Sequence, residues 1–112
     1  MIVARQEYTV ASGKVDEALA WLREVRSWEA YRLIYPHGCR VSAKSVGRLH
    51  KVVVEAQYDN LQEYLSCLRA ATRQPEYARW RPRQHELCLH VYGCYSRCGP
   101  DALELSPAPG LP

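Results

Sequence analysis

Apolar and polar residues alternate over residues 2–10, which predicts a β-strand with two distinct faces. The more apolar face is made of alternate residues: Ile2, Ala4, Gln6, Tyr8 and Val10. From residue 14 the apolar residues recur every three or four positions instead, which predicts a helix. Because Pro36 and Gly38 limit this pattern, we expect the helix to run from residue 14 to residue 35 at most, with residues 31–35 either helical or extended.

The remainder of the chain predicts two more strands, a second helix and a last strand. The three strands are expected at residues 39–46, 49–58 and 87–95. Asn60, followed three residues later by Glu63, is a capping signature for the second helix. Pro75 suits the first turn of a further short helix that reaches Trp80. The order is therefore β-α-β-β-α-β.

This order is that of an α+β, ferredoxin-like fold with a four-stranded antiparallel sheet. Two helices can cover only one face of such a sheet. Residues 87–95 are nevertheless apolar on both faces, and Leu49 and Val53 point away from the face that Val52 and Val54 share. A sheet buried on both faces needs a second layer. A second copy of the chain is the simplest source, so we predict a homodimer.

Length and composition indicate one domain at residues 1–98, followed by a Pro-rich tail at residues 99–112. Phe is absent, so Tyr and Trp must fill the large core volumes. The net charge of +3 is spread among interleaved acids and bases, which argues against a nucleic-acid partner. No apolar run reaches the roughly 18 residues of a membrane span. The irregular spacing of five cysteines and the lack of a signal-peptide pattern favour a cytoplasmic protein with reduced thiols.

Three segments carry a resemblance to a known family. They are YTVxxGK at residues 8–14, ExxYDNLxxY at residues 55–64 and PEYxxW at residues 75–80. Their order and spacing resemble those of NIPSNAP-like domains, and the turn at residues 36–39 resembles that of antibiotic-biosynthesis-type monooxygenases. Both groups belong to the dimeric α+β barrel superfamily. The resemblance implies a homodimer whose two sheets face each other, with a cavity between each sheet and its helices.

The candidate ligand site combines Gln6 and Tyr8 on the first strand, His50 on the third and Trp80 after the second helix. His50 and Tyr8 are the candidate catalytic groups, with imidazole suited to proton transfer near neutrality. The alternative is that both are satisfied polar residues at the edge of the core. Haem-degrading relatives use an amide, a Trp and a His. Gln6 fits the amide position, but Trp80 and His85 match only loosely, so we predict no cofactor.

Two further groups of residues are candidate sites. Cys88, His90 and Cys94 are zinc-ligand types, and strand alternation places them on one face. Residues six apart on a straight strand nevertheless lie about 20 Å apart, so we predict no metal there. Arg79 lies in an Arg-rich segment around Trp80, where it either contacts an anionic ligand or is simply solvated.

The function favoured by the sequence is binding of a small, partly apolar ligand in a cavity between sheet and helices. The alternative is a cofactor-independent, monooxygenase-like enzyme that acts on a small molecule. A third hypothesis is that the protein is an interaction module with no pocket. Fold alone does not decide among them.

Overall fold

The computed structural model describes residues 1–97 and 105–107 of the chain. Its strands are β1 (Ile2–Val10), β2 (Cys39–Val46), β3 (Leu49–Tyr58), β4 (Cys88–Arg97) and β5 (Leu105–Pro107). Its α-helices are α1 (Val15–Arg23), α2 (Tyr31–Ile34), α3 (Leu61–Thr72), α4 (Tyr77–Trp80) and α5 (Arg83–Leu87). A 3-10 helix, Glu24–Ser27, follows α1 directly.

The sheet has the strand order β2-β3-β1-β4-β5, with antiparallel pairing throughout. The four predicted strands and their α+β, ferredoxin-like order are therefore confirmed. Leu105–Pro107 adds a short strand to the free edge of β4, a pairing that the sequence pattern did not indicate. The rest of the predicted tail lies outside the described residues.

One face of the sheet packs against the helices and forms the core. On β1 the alternate residues predicted for this face are buried, apart from the half-buried Gln6. The largest fully buried side chains are Trp21, Tyr8, Tyr64 and Val52. Since the chain has no Phe, the large core volumes are filled by Trp and Tyr, as the composition predicts. Each of these aromatics also brings a polar atom into the core.

The predicted helix over residues 14–35 is wrong as a single element. The α-helix ends at Arg23, passes into the 3-10 turn, and resumes only for Tyr31–Ile34. Trp28 has an extended backbone with ψ of 140°, and its side chain is buried edge-on against the Trp80 ring. The periodicity of apolar residues cannot reveal this break, because tertiary packing of Trp28 overrides local helix propensity.

The α3 cap was predicted correctly. Asn60 Oδ1 accepts a hydrogen bond from the Glu63 backbone N–H at 2.8 Å, and Glu63 Oε1 accepts one from the Asp59 N–H at 3.1 Å. These two bonds satisfy backbone donors at the start of the helix. They also fix the Glu63 side chain beside the loop that follows β3.

The sheet face opposite the helices is charged at its centre, which corrects the expectation of an apolar face. Glu7 lies 3.0 Å from Arg5, 3.2 Å from Lys44 and 3.5 Å from Lys51. Partial burial alone would raise the pKa of Glu7, but the Lys44 hydrogen bond and the surrounding positive charges outweigh it and lower that pKa.

Within the described chain, none of the helices has the length and apolarity required to cross a bilayer.

Candidate functional site

A cavity of about 30 Å³ lies between the central strands and the helices. It is lined by Ala4 and Gln6 of β1, by Val54, Ala56 and Tyr58 of β3, by Ile34 and Tyr35 at the end of α2, and by Tyr64, Cys67 and Leu68 of α3. The enclosed space admits a water-sized group. Tyr35 and Leu68 are half-buried, so this side of the lining reaches the surface.

Three tyrosines give the cavity its polarity, and they differ in their hydrogen bonding. The Tyr58 hydroxyl donates to the Ile34 carbonyl at 3.2 Å. The Tyr64 hydroxyl oxygen is buried and has no hydrogen-bond partner in the part of the chain that the structure describes. Burial, more than any neighbouring group, raises the pKa of Tyr64 to about 12, and it raises the pKa of Tyr35 and Tyr58 as well. All three phenols are therefore protonated donors at neutral pH.

An amide completes the polar lining. The Tyr8 hydroxyl donates to Gln6 Oε1 at 2.6 Å. This bond fixes the orientation of the amide and leaves its Nε2 group as a donor. The Tyr8 ring itself is buried edge-on against Trp21, and burial raises its pKa well above the usual value. Tyr8 therefore positions Gln6 rather than lining the cavity.

Solved structures share this architecture. A NIPSNAP family protein from Agrobacterium tumefaciens aligns with a TM-score of 0.73 and 19% sequence identity, over 89% of this chain and 94% of that chain. An uncharacterized NIPSNAP domain protein from Burkholderia xenovorans aligns with a TM-score of 0.65 and 20% identity, over 93% of this chain and 100% of that one. The chain has a NIPSNAP-like fold. No protein-family model and no curated protein sequence matches it.

In this NIPSNAP-like fold, His50 is not brought to the cavity. It shares a strand face with Val52, as predicted, but it is exposed at the end of β3, opposite Val10 in the register. Its Nδ1 lies 3.2 Å from Ser45 Oγ. The prediction that His50 lies beneath the helices is therefore wrong, because the buried run of this strand face begins only at Val52.

Trp80 is also held elsewhere, in a pairing with Trp21. The two rings stack with centroids 4.3 Å apart, and each indole N–H donates to the other residue's carbonyl at 2.8 Å. These contacts occupy the polar atom of each ring. The structure thus places Trp80 in the core between α1 and α4, away from the cavity lining.

The remaining predicted ligand residues, Arg79 and His85, are exposed. Arg79 lines a surface groove of about 420 Å³ together with Arg83 and several glutamates. His85 lies on α5, with Nε2 3.4 Å from a guanidinium nitrogen of Arg81. Neither side chain lines the cavity that contains Gln6.

The cysteines are distributed over both faces of the sheet. A bulge between Thr9 and Val10 of β1 shifts the register with β4. As a result Cys88 joins the helix-side core, while Cys94 pairs with Arg5 on the opposite face. The prediction that Cys88 and Cys94 share a face is therefore wrong. Cys39, Cys67, Cys88 and Cys94 are free thiols.

The residues that line the cavity were mostly missed because each looked like ordinary core. Tyr64 and Leu68 recur at helical spacing and so resemble an ordinary apolar face of α3, and Tyr58 continues the β3 face of Val52. The available signal was chemical. Tyrosines stand at core positions of separate elements, and every buried hydroxyl needs a partner.

A second groove, of about 450 Å³, lies beside the turn between α2 and β2. Its lining includes the three arginines Arg26, Arg32 and Arg40, together with His37, and Glu55 is its acidic member. This part of the surface is therefore cationic. One of the arginines is engaged within the chain, since Arg26 donates to the Cys39 carbonyl at 3.3 Å.

Proposed function

We propose that this NIPSNAP-like protein binds a small, partly apolar ligand that presents a hydrogen-bond acceptor to the cavity between sheet and helices. The observation that carries the proposal is that the hydroxyl of Tyr64, one of the lining residues, is buried without a partner in residues 1–97 or 105–107. An unsatisfied buried polar group costs about 1–3 kcal/mol. A ligand acceptor would remove that cost.

The lining defines the chemistry of such a ligand. Gln6 Nε2 and the Tyr64 hydroxyl are donors, while Val54, Ala56 and Leu68 provide apolar contact. Donors without a matching acceptor favour a carbonyl, ether or similar oxygen flanked by carbon. Because the enclosed volume is only about 30 Å³, we infer that this polar group enters first and that the apolar remainder lies towards Tyr35 and Leu68.

The same lining favours binding over proton-transfer catalysis. A general acid or base works best with a pKa near the operating pH. In the described residues the cavity is lined by no carboxylate and no imidazole, and burial raises the pKa of both Tyr64 and Cys67. His50, the group predicted to move protons, is exposed elsewhere. The monooxygenase-like alternative therefore gains no support from these residues.

We also propose that the protein is a homodimer that pairs through the sheet face opposite the helices. Tyr92, which is 50% exposed, pairs with Glu7 on that face and offers apolar surface beside the charged centre. Arg5 Nε is buried there without a hydrogen-bond partner in the described chain. A partner sheet would supply both apolar cover and acceptors.

Free thiols suit a reducing compartment, so we propose the cytoplasm as the location of the protein.

The ligand proposal is tested by titrating the ¹⁵N-labelled protein with cyclopentanone and, as a matched probe without an acceptor, cyclopentane. We expect shifts at β1, β3 and α3 amides with cyclopentanone, and an affinity about 3–10 times weaker in Tyr64→Phe, because one hydrogen bond is lost. Tyr58→Phe, which alters a hydroxyl already bonded to Ile34, serves as the control.

Two results would contradict the proposal. The first is equal affinity of the two probes, since the hydroxyl would then contribute nothing. The second is no shift at the cavity with either probe, which would assign the cavity to water alone.

A further inference from the structure

A histidine and two carboxylates, none of which lines the tyrosine-lined cavity, meet on the protein surface. His37 Nε2 lies 3.2 Å from Asp59 Oδ1 and 3.5 Å from Glu63 Oε1. One ligand atom from each of the three residues lies within 4.8 Å of the other two. His37 and Asp59 are exposed and Glu63 is half-buried, so an ion from solution can reach all three.

The fold holds these residues together from two separate segments. The β2–β3 pairing places Cys39 opposite Ala56, so the turn before β2 lies beside the loop after β3. His37 occupies that turn and Asp59 that loop. Glu63 is fixed by the α3 cap, where its carboxylate accepts the Asp59 N–H. The cluster is therefore a consequence of the hairpin register and of the cap, rather than of flexible side chains meeting by chance.

The spacing matches that of metal ligands. Zinc binds imidazole nitrogen and carboxylate oxygen at roughly 2.0–2.2 Å, so two ligand atoms at a tetrahedral angle lie about 3.4 Å apart. The two distances from His37 Nε2, 3.2 and 3.5 Å, bracket that value. The Asp59 and Glu63 oxygens lie within 4.8 Å of each other, and rotation of the exposed Asp59 side chain can adjust that distance.

We propose that His37, Asp59 and Glu63 form a binding site for a divalent transition-metal ion, with zinc as the ion whose ligand preferences fit best. One neutral imidazole and two carboxylates are common zinc ligands, and the two negative charges balance the ion. The arginines of the neighbouring cationic groove oppose cation binding, which the carboxylates must outweigh.

Three protein ligands leave the fourth tetrahedral position open. Structural zinc sites close all four positions, whereas sites that bind an exchangeable ligand keep one free. His37 also lines the 450 Å³ groove, so the ion would sit at the border of a space large enough for a further ligand. The site is therefore of the open type, with a fourth position that water or a further ligand would fill.

The test is zinc titration by isothermal calorimetry, with elemental analysis after equilibrium dialysis of the full chain. We expect one zinc per chain, and a loss of affinity of at least tenfold in His37→Gln and in Glu63→Gln. The second variant keeps a side-chain oxygen for the α3 cap, so folding is preserved while the charged ligand is removed. His85→Gln, which alters an exposed histidine outside the cluster, should bind zinc like the original chain.

Cysteines are the competing zinc ligands, and cobalt distinguishes them. A cobalt ion bound by nitrogen and oxygen lacks the intense ultraviolet absorption of a cobalt thiolate. We expect no such absorption, and we expect Cys39→Ser to bind zinc like the original chain. Thiolate absorption, unchanged affinity in His37→Gln, or no stoichiometric zinc would each overturn the proposal. None of these readouts depends on the tyrosine-lined cavity, so the two proposals succeed or fail separately.

Discussion

Tyr58 and Tyr64 line the same cavity with their ring centroids 5.0 Å apart and their planes tilted by 46°, yet they differ in the state of their hydroxyl groups. Tyr58 donates to the Ile34 carbonyl, whereas the Tyr64 hydroxyl is buried without a partner in the described chain. The net value of a satisfied hydrogen bond is about 1 kcal/mol, and an unsatisfied group carries a cost instead. At the scale of single residues, these two tyrosines should therefore respond oppositely to the same substitution.

We predict that Tyr58→Phe lowers the free energy of unfolding by about 1 kcal/mol, because a buried hydrogen bond is lost. Tyr64→Phe should leave it unchanged or raise it by up to about 1 kcal/mol, because the variant removes a polar atom that has no partner. Urea unfolding of both variants measures the difference. A Tyr64→Phe variant as unstable as Tyr58→Phe would show that the Tyr64 hydroxyl is satisfied.

The buried thiol and phenol groups also predict how stability depends on pH. Burial raises the pKa of Cys88 from 9.0 to about 11, and chiefly burial raises that of Tyr64 from 10.0 to about 12. Both folded-state values lie above the unfolded ones. The contribution of these two buried, neutral groups to the free energy of unfolding is therefore complete below pH 9. It is lost as the pH rises through 11 for Cys88 and through 12 for Tyr64.

We expect the free energy of unfolding to be flat from pH 7 to 9 and to fall by up to about 2–3 kcal/mol for each group above that range. Urea unfolding at half-unit pH steps measures this fall. Cys88→Ala should lower the stability at pH 7 through its small cavity, yet flatten the slope between pH 9 and 10. An unchanged slope in Cys88→Ala would refute the assignment to this thiol.

At the scale of elements, the Trp21–Trp80 pair joins helices that are far apart in the chain. The stacked rings and the two reciprocal hydrogen bonds connect α1 to α4 through buried atoms. Trp28 contacts Trp80 edge-on at 5.9 Å but makes no indole hydrogen bond within residues 1–97 and 105–107. Trp28 and Trp80 therefore differ in polar contacts, although both fill core volume.

We predict that Trp80→Phe destabilises the fold by about 3 kcal/mol, since it loses core volume and removes the indole hydrogen bond to the Trp21 carbonyl. Trp28→Phe should cost about 1 kcal/mol less, because it loses volume alone. Thermal and urea unfolding of the two variants give the comparison. Equal losses would mean that the reciprocal hydrogen bonds add nothing to the packing.

At the scale of the whole molecule, the two sides of the domain expose different apolar residues. Tyr92 lies on the sheet face with the charged centre, and Leu33, which is 65% exposed, lies on α2 on the helix side. A homodimer that pairs through its sheets should depend on the first and not on the second. Both residues are exposed, so a charge at either position leaves the fold of one chain intact.

We predict a dimer at micromolar concentration by sedimentation equilibrium. Tyr92→Glu should shift it towards the monomer by at least tenfold in dissociation constant, whereas Leu33→Glu should not. Charged contacts at the centre of the face predict a further dependence on salt. A monomer at micromolar concentration, or a stronger effect of Leu33→Glu, would refute pairing through the sheet.

The sequence by itself determined the strands, their faces on β1 and β3, the α3 cap and the ferredoxin-like order. Each of these depends on local periodicity or on residues three apart, which are visible along the chain. The same reasoning identified Gln6 as a helix-side polar residue and recognised the likeness to NIPSNAP-like domains, which the fold comparison confirms. It also anticipated a core filled by Trp and Tyr.

Only the tertiary structure decided which polar residues meet. His50 lies on the predicted strand face, but at the end of the strand where that face is exposed to solvent. Strand alternation does not show where the helices stop covering the sheet. Trp80 was assigned to the ligand site because it follows the second helix, and its contact with Trp21 is not visible along the chain because the two residues are distant in sequence. His37 and Glu63 come together through the register of a hairpin and a helix cap. Contacts of this kind depend on the packing of whole elements, so local sequence patterns do not predict them.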